Sequence, residues 1–144
     1  MITKLLIAWV LMAFCVAVHA IGMMVAFRRI RRSPALADPR FWPPTWLLIR
    51  MAGWLILLHL IEISLWALLY VWLQAMPDLQ TAFYFSAVTY TTTGYGDLVL
   101  PAAWRLVGGI EALTGILMCG LSTGFFFAVV NHIFRSWHSE TTGN

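Results

Sequence analysis

The segment Thr91-Thr92-Thr93-Gly94-Tyr95-Gly96-Asp97 is the most informative stretch of the chain. Gly94 and Gly96 alternate with other residues, and glycine adopts positive φ angles without steric cost. An ordinary strand turns successive carbonyl groups to opposite sides, whereas residues with positive φ at such positions can turn them to one side. The sequence therefore predicts an irregular loop in which Gly94 and Gly96 adopt positive φ angles.

The sequence around this loop is that of a membrane protein. Of its 144 residues, 61% are hydrophobic and 10% are charged, and the mean hydropathy is +0.82. This composition excludes an ordinary soluble domain. Three apolar runs exceed the roughly 20 residues that cross about 30 Å of hydrocarbon, and they cover residues 5–27, 46–73 and 104–134. The segment 77–101, which holds the loop, is a shorter segment that cannot span the membrane alone.

Arginines orient the predicted spans. Six of them lie between or beside the first two runs: Arg28, Arg29, Arg31, Arg32, Arg40 and Arg50. Because loops rich in Lys and Arg stay on the cytoplasmic side, residues 28–45 are predicted to form a cytoplasmic basic loop. The amino terminus and the glycine loop then lie outside, and the tail 135–144 is cytoplasmic. We expect a multi-pass protein of the plasma (inner) membrane.

The first apolar run has a second interpretation. Lys4, the apolar residues after it and Val18-His19-Ala20 are typical of a secretory signal with a cleavage site. Against cleavage, the apolar run continues to Phe27, and its removal would leave four arginines outside. We predict that residues 1–27 are retained as a transmembrane helix, and cleavage stays as the alternative.

A short helix is predicted directly before the loop. Pro77 and Asp78 suit a helix amino terminus, and residues 79–90 follow without a helix breaker. Twelve residues extend about 18 Å, roughly half a membrane. A half-helix followed by returning extended chain is a re-entrant segment, which is tolerated only when protein surrounds it or water lines it.

This arrangement resembles the pore-loop potassium channel family, whose filter is a Thr-Val-Gly-Tyr-Gly loop. The resemblance covers residues 46–134 and leaves the first helix as an extra element. It implies an all-α membrane protein with outer helix, re-entrant pore helix, selectivity filter and inner helix. One loop supplies one wall of a pore, so a homotetramer in membrane lipid is expected.

The resemblance also assigns filter positions. Backbone carbonyls of the family filter coordinate dehydrated potassium, here as a permeant ion and not as a cofactor. The carbonyls of Thr92, Thr93, Gly94 and Tyr95 are expected to coordinate the ion, and Gly96 completes the filter. Thr93 stands where the family usually has Val or Ile, which leaves a weakly selective cation channel as an alternative.

Residues around the filter receive supporting roles from the same resemblance. Asp97 is expected to add negative potential at the outer mouth, and Tyr84 and Phe85 to brace Tyr95. On the inner helix, Gly115 matches the family's hinge glycine. The predicted hinge and cavity positions are Gly115, Ile116, Cys119 and Thr123.

Three ionisable residues within the apolar runs are unusual, because such groups are costly in a membrane and usually face the protein interior. Glu111 lies on a different helical face from Ile116 and Cys119, so we predict that it supports the filter from behind, bonded to Thr93 or another pore-loop group. His59 and Glu62 lie three residues apart on one face. They are either a brace for the pore, with a pH response, or a locally satisfied pair.

No pattern typical of catalysis, nucleic-acid binding or a small-molecule substrate occurs in the sequence, so a non-enzyme is predicted. The resemblance favours passive potassium conduction. A weakly selective cation channel and a non-conducting membrane interaction subunit remain the alternatives.

Overall fold

The computed structural model describes residues 2–33, 40 and 42–141, with side chains through residue 135. Four α-helices account for most of this part: α1 (Ile2–Arg31), α2 (Trp42–Trp72), α3 (Leu79–Tyr90) and α4 (Arg105–Thr141). A 3₁₀ turn, Ala102–Trp104, leads into α4, and these described residues contain no strand. The predicted all-α fold is confirmed.

Three of these helices are long and apolar enough to cross a membrane. They cover Ile2–Arg31, Trp42–Trp72 and Ala102–Arg135, with mean hydropathies of 2.4, 2.0 and 2.0. The three predicted spans are therefore confirmed, and the chain is an integral multi-pass membrane protein.

The helix ends differ from the predicted ones. α1 continues to Arg31, and α2 begins at Trp42 with Pro43 and Pro44 inside its first turn. The predicted run begins at residue 46, so it leaves both prolines outside the helix. They fit inside it because the first N–H groups of a helix have no intrahelical acceptor, so the missing proline N–H costs nothing. Within the predicted loop 28–45, residues 34–39 and 41 lie outside the described part.

The carboxyl end of the chain also extends further as helix than the apolar run indicated. α4 reaches Thr141, whereas the predicted span ended at residue 134. The polar residues past that point continue the helix, because a helix needs no apolar face once it leaves the hydrocarbon. The division of the chain into residues 1–27, 28–45, 46–134 and 135–144 stays a prediction.

α1 and α4 run parallel to each other. Near one end, Lys4 Nζ donates to the carbonyl of Ala103 over 3.1 Å, and its ammonium lies 3.8 Å from the ring centre of Trp104. Further along, His19 Nε2 lies 3.0 Å from Ser122 Oγ. The two helices therefore run in the same direction.

α2 runs antiparallel to this pair. The indole N–H of Trp54 donates to the carbonyl of Gly22 over 3.0 Å. At the other end of α2, the Tyr70 hydroxyl donates to Glu111 on α4. The start of α2 therefore lies beside the end of α1, as two spans joined by a short loop require.

The short helix α3 has the predicted bounds. The Asp78 side chain caps it by accepting from the Thr81 N–H and the Thr81 hydroxyl, each over 2.8 Å. These two bonds, the backbone one foremost, hold the pKa of Asp78 below its usual value. The cap therefore persists until the pH falls through that lowered pKa.

α3 is inserted between α2 and α4 and ends part of the way along them. Phe85 packs edge-on against Tyr70, with ring centres 5.4 Å apart. Five residues later, Tyr90 reaches Glu62 of α2, which lies about 15 Å from the end of α2 at Trp72. α3 thus ends about a third of the way along α2 from that end, and the chain turns back there, as predicted for a re-entrant helix.

Candidate functional site

The segment after α3 has the backbone conformation that the glycines predicted. Gly94 and Gly96 have φ angles of +55° and +78°. Thr92 has a φ of +59° as well, which the sequence did not indicate because a β-branched residue disfavours this region. Left-handed residues therefore occur at every second position from 92 to 96, and this alternation can turn successive carbonyls to one side.

Backbone hydrogen bonds fasten the start of this segment to the last turn of α3. The Thr92 N–H donates to the Thr89 carbonyl over 2.9 Å. The carbonyl of Val88 accepts from both Thr93 and Gly94, over 3.0 and 3.2 Å. These bonds satisfy N–H groups that would otherwise compete for water, and they hold Thr92 in its strained conformation.

The Thr93 hydroxyl has a partner on the same chain. It lies 2.9 Å from the hydroxyl of Thr91, which donates in turn to the carbonyl of Ala87 over 2.7 Å. This chain of bonds ties the Thr93 side chain to the end of α3.

The outer end of the segment is tied to α3 by a different bond. The Tyr84 hydroxyl donates to Asp97 Oδ2 over 2.7 Å. Tyr95, which was expected to lean on Tyr84 and Phe85, leaves 73% of its surface exposed in the single chain. Phe85 packs against Tyr70 of α2 instead, because neighbouring residues on a helix point about 100° apart.

On α4, the predicted hinge and cavity positions lie on two faces. Ile116 and Thr123 are exposed in the single chain and Cys119 is half-buried. Gly115, the predicted hinge, lies on the other face: it is buried, and a Cβ added to it would lie 1.8 Å from the carbonyl oxygen of Tyr90. Helical periodicity accounts for the difference, since one residue along a helix turns the side chain by about 100°. The role of Gly115 as a hinge stays a prediction.

Comparison with known proteins gives the family. A sequence model described as "Ion channel" matches residues 58–132, more than half of the chain. The chain belongs to the pore-loop potassium channel family. The match includes α3, the glycine segment and most of α4, so the chain is an ion channel protein with an additional helix, α1, in front of the matched region.

Two animal proteins show the same relationship. The chain is 39% identical over 59 residues to the potassium voltage-gated channel protein shk-1 of Caenorhabditis elegans, covering 40% of this chain. It is 34% identical over 64 residues to the potassium voltage-gated channel protein Shal of Drosophila melanogaster, covering 44% of this chain. The matched region spans 11% of the length of each relative. No solved structure matches the chain.

Glu111 of this channel is completely buried and bonded to the outer helix. Its Oε2 accepts from the Tyr70 hydroxyl over 2.7 Å. Ser86 on α3 lies near the same carboxylate. Neither Ser86 Oγ nor Glu111 Oε1 has a hydrogen-bond partner among the described residues. The predicted partner was Thr93 or another pore-loop group, whereas the observed partner is Tyr70 of α2, and the Thr93 hydroxyl lies against Thr91. Tyr70 was missed because its position eight residues beyond Glu62 gives no sign that it faces α4.

Substitutions at Glu111 should separate its hydrogen bond from its charge. Glu111→Ala leaves the buried Tyr70 hydroxyl without an acceptor, which costs about 1–3 kcal/mol. Glu111→Gln keeps an acceptor oxygen and is expected to be milder. The measurement is the heat stability of the purified channel in each variant. Equal stability of Glu111→Ala and the unsubstituted protein would contradict this role.

A second buried group of polar side chains links three elements to the end of α3. His19 Nδ1 lies 2.9 Å from Glu62 Oε1, and the Tyr90 hydroxyl donates to Glu62 Oε2. His59 Nδ1 lies 3.4 Å from the Tyr90 hydroxyl and 3.6 Å from Glu62 Oε2. With Ser122 bonded to His19, α1, α2 and α4 all meet beside the residue that precedes the filter segment.

The sequence revealed two of the five residues in this group. His59 and Glu62 stood out as an i, i+3 pair, whereas the three partners on other elements did not. His19 carried a usable signal, since a histidine within an apolar span is costly unless it has a polar partner. The pair itself is present, and Glu62 also bonds to His19 of α1 and Tyr90 of α3; a pH response stays a prediction.

Proposed function

We propose that the chain is one subunit of a potassium-selective channel. Carbonyls of Thr92, Thr93, Gly94 and Tyr95 coordinate the dehydrated ion as it passes down its gradient. The observation that carries this proposal is the alternation of left-handed φ angles at 92, 94 and 96. Such a backbone presents carbonyl oxygens in a row, and rings of carbonyls replace the hydration shell of an ion.

The filter segment supports a homotetramer. Residues 91–99 are all exposed in the single chain, although irregular backbone at membrane depth must be enclosed by protein or face water. The exposed side chains Ile116 and Phe127 add an apolar face to α4, at 57% and 65% exposure. Three further copies around a common axis cover both features and complete each ring of carbonyls.

Subunit number has a direct test. Native mass spectrometry of the purified protein, released from mild detergent, is expected to give a mass four times that of one chain. A preparation that conducts ions and contains only monomers or dimers would contradict the tetramer.

The position of Thr93 bears on selectivity. Its hydroxyl is engaged by Thr91, so the side chain is held on the α3 side and the carbonyl remains for the ion. This favours potassium selectivity over weakly selective cation conduction. The proposal is tested by flux into proteoliposomes: potassium gradients should dissipate and sodium gradients should persist. Equal dissipation would favour the weakly selective channel, and no dissipation of either would exclude conduction.

We further propose that the amino terminus and the filter lie on the outer side of a plasma membrane. The contact between Lys4 and Ala103 places the start of α1 at the filter end of the bundle. The arginines in the last turn of α1 and directly after it lie at the opposite end, where the positive-inside rule puts the cytoplasm. Impermeant labelling of single cysteines near each terminus should find the two ends on opposite sides.

A further inference from the structure

We propose that His19, His59 and Glu62 form a binding site for a divalent transition metal such as Zn²⁺, which joins α1 to α2 beside the end of the pore helix. The ligand atoms of these three side chains all lie within 4.8 Å of one another. Imidazole and carboxylate groups are common zinc ligands.

The spacing suits a small ion. Zinc bonds to nitrogen and oxygen measure about 2.0–2.2 Å, so neighbouring ligand atoms around a tetrahedral ion lie about 3.3 Å apart. His19 Nδ1 and Glu62 Oε1 are 2.9 Å apart, and His59 Nδ1 and Glu62 Oε2 are 3.6 Å apart. Both distances differ from that value by about 0.3–0.4 Å, a change on the scale of small side-chain rotations.

His19 is oriented as a metal ligand would be. A histidine that binds a metal through one ring nitrogen usually gives its other N–H to an oxygen, which fixes the ring and the tautomer. Here Nε2 faces Ser122 Oγ at 3.0 Å. When this N–H donates to Ser122, Nδ1 is unprotonated and presents a lone pair to the site.

Tyr90 lies where a fourth ligand of a tetrahedral ion would be. Its hydroxyl bonds Glu62 and lies 3.4 Å from His59 Nδ1. As a fourth ligand, Tyr90 binds as the phenolate, and its hydroxyl proton is released to the buffer as the ion enters. Two neutral imidazoles, one carboxylate and one phenolate then balance the two positive charges of the ion. A neutral site suits a buried position, where an uncompensated charge is expensive.

His59 is the ligand nearest the surface of the single chain. Its side chain is 18% exposed, whereas His19 and Glu62 are fully buried.

Metal binding is measured on the full-length protein in detergent, after treatment with a chelator. Titration with Zn²⁺ against a competing colorimetric chelator should give one ion per chain. Co²⁺ in its place should give the strong visible absorption of a tetrahedral site. Removing a ligand by His59→Gln or His19→Gln should weaken Zn²⁺ binding by at least about 10–100-fold, and Ser122→Ala by about 10–100-fold through loss of the bond that orients His19.

Matched controls distinguish this site from other metal-binding groups. His132→Gln removes a histidine near the far end of α4, and Cys15→Ala and Cys119→Ala remove the two thiols; all three should retain binding. Helix content and oligomer size verify that each variant is folded. If His19→Gln misfolds, His59→Gln, whose side chain is partly exposed, still decides the question.

Three results would overturn the proposal. These are no Zn²⁺ binding by the unsubstituted protein, unchanged binding in a folded His59→Gln variant, and loss of binding only in the cysteine or His132 variants. The first would leave the cluster as a hydrogen-bonded network alone. Because ion flux is not part of the measurement, the result is independent of the proposed conduction.

Discussion

Gly115→Ala is expected to destabilise the channel strongly and to abolish its ion flux. The added methyl carbon would lie 1.8 Å from the carbonyl oxygen of Tyr90 and 2.7 Å from its carbonyl carbon. These are backbone atoms in the last turn of α3, so they cannot swing aside as a side chain can. Overfilling a packed site typically costs about 1–3 kcal/mol, and this contact is closer than any real one. The shift needed would move the pore helix and the filter segment attached to it.

A matched glycine shows what the same substitution does without the contact. Gly53 in α2 is exposed, and an added methyl carbon there meets nothing within 4 Å. Alanine is favoured over glycine within a helix by about 1 kcal/mol, so Gly53→Ala should be neutral or slightly stabilising. Gly115→Ala should therefore lower both heat stability and flux, whereas Gly53→Ala should leave flux unchanged and heat stability unchanged or slightly raised. Unchanged stability and flux in Gly115→Ala would show that α3 and α4 do not approach this closely.

Gly94→Ala is expected to abolish selective flux by a different route. The φ angle of Gly94 is +55°, and a methyl carbon added there meets nothing within 4 Å of the same chain. The effect must therefore come from the backbone, since a left-handed conformation costs an L-residue about 1–2 kcal/mol. In a tetramer this cost occurs in every subunit around one ring. The carbonyls then turn away from the axis and the ion loses its coordination.

The control for Gly94 is another open glycine with ordinary helical geometry. Gly109 lies in α4 and an added methyl carbon there also meets nothing within 4 Å, so Gly109→Ala should conduct normally. Both variants are compared as purified protein in proteoliposomes, at equal protein content. Potassium-selective flux that persists in Gly94→Ala would mean that the left-handed backbone is not required.

The sequence predicted those parts of the fold that depend on local pattern. Spans follow from the length of an apolar run, α3 from its capping Asp78, and the left-handed angles at Gly94 and Gly96 from their lack of a Cβ. Thr92 was missed because its conformation is imposed by the bond to Thr89 and by its neighbours, against its own preference.

Contacts between distant helices could not be predicted in the same way. His19 and Ser122 are 103 residues apart, and their meeting depends on the parallel packing of α1 and α4. Nothing in a single sequence fixes that register. Glu111 could be assigned to a buried face from helical periodicity, whereas its partner Tyr70 could be found only from the packing of α2 against α4.

The central claim is that this filter conducts potassium in preference to sodium. The most direct test is the reversal potential of single channels in a planar bilayer, with potassium on one side and sodium at equal concentration on the other. Potassium selectivity predicts a reversal potential far from zero. The potassium side is then negative, because that voltage opposes the outward diffusion of potassium. A reversal potential near zero, or channels that never open in a folded tetramer preparation, would contradict the claim.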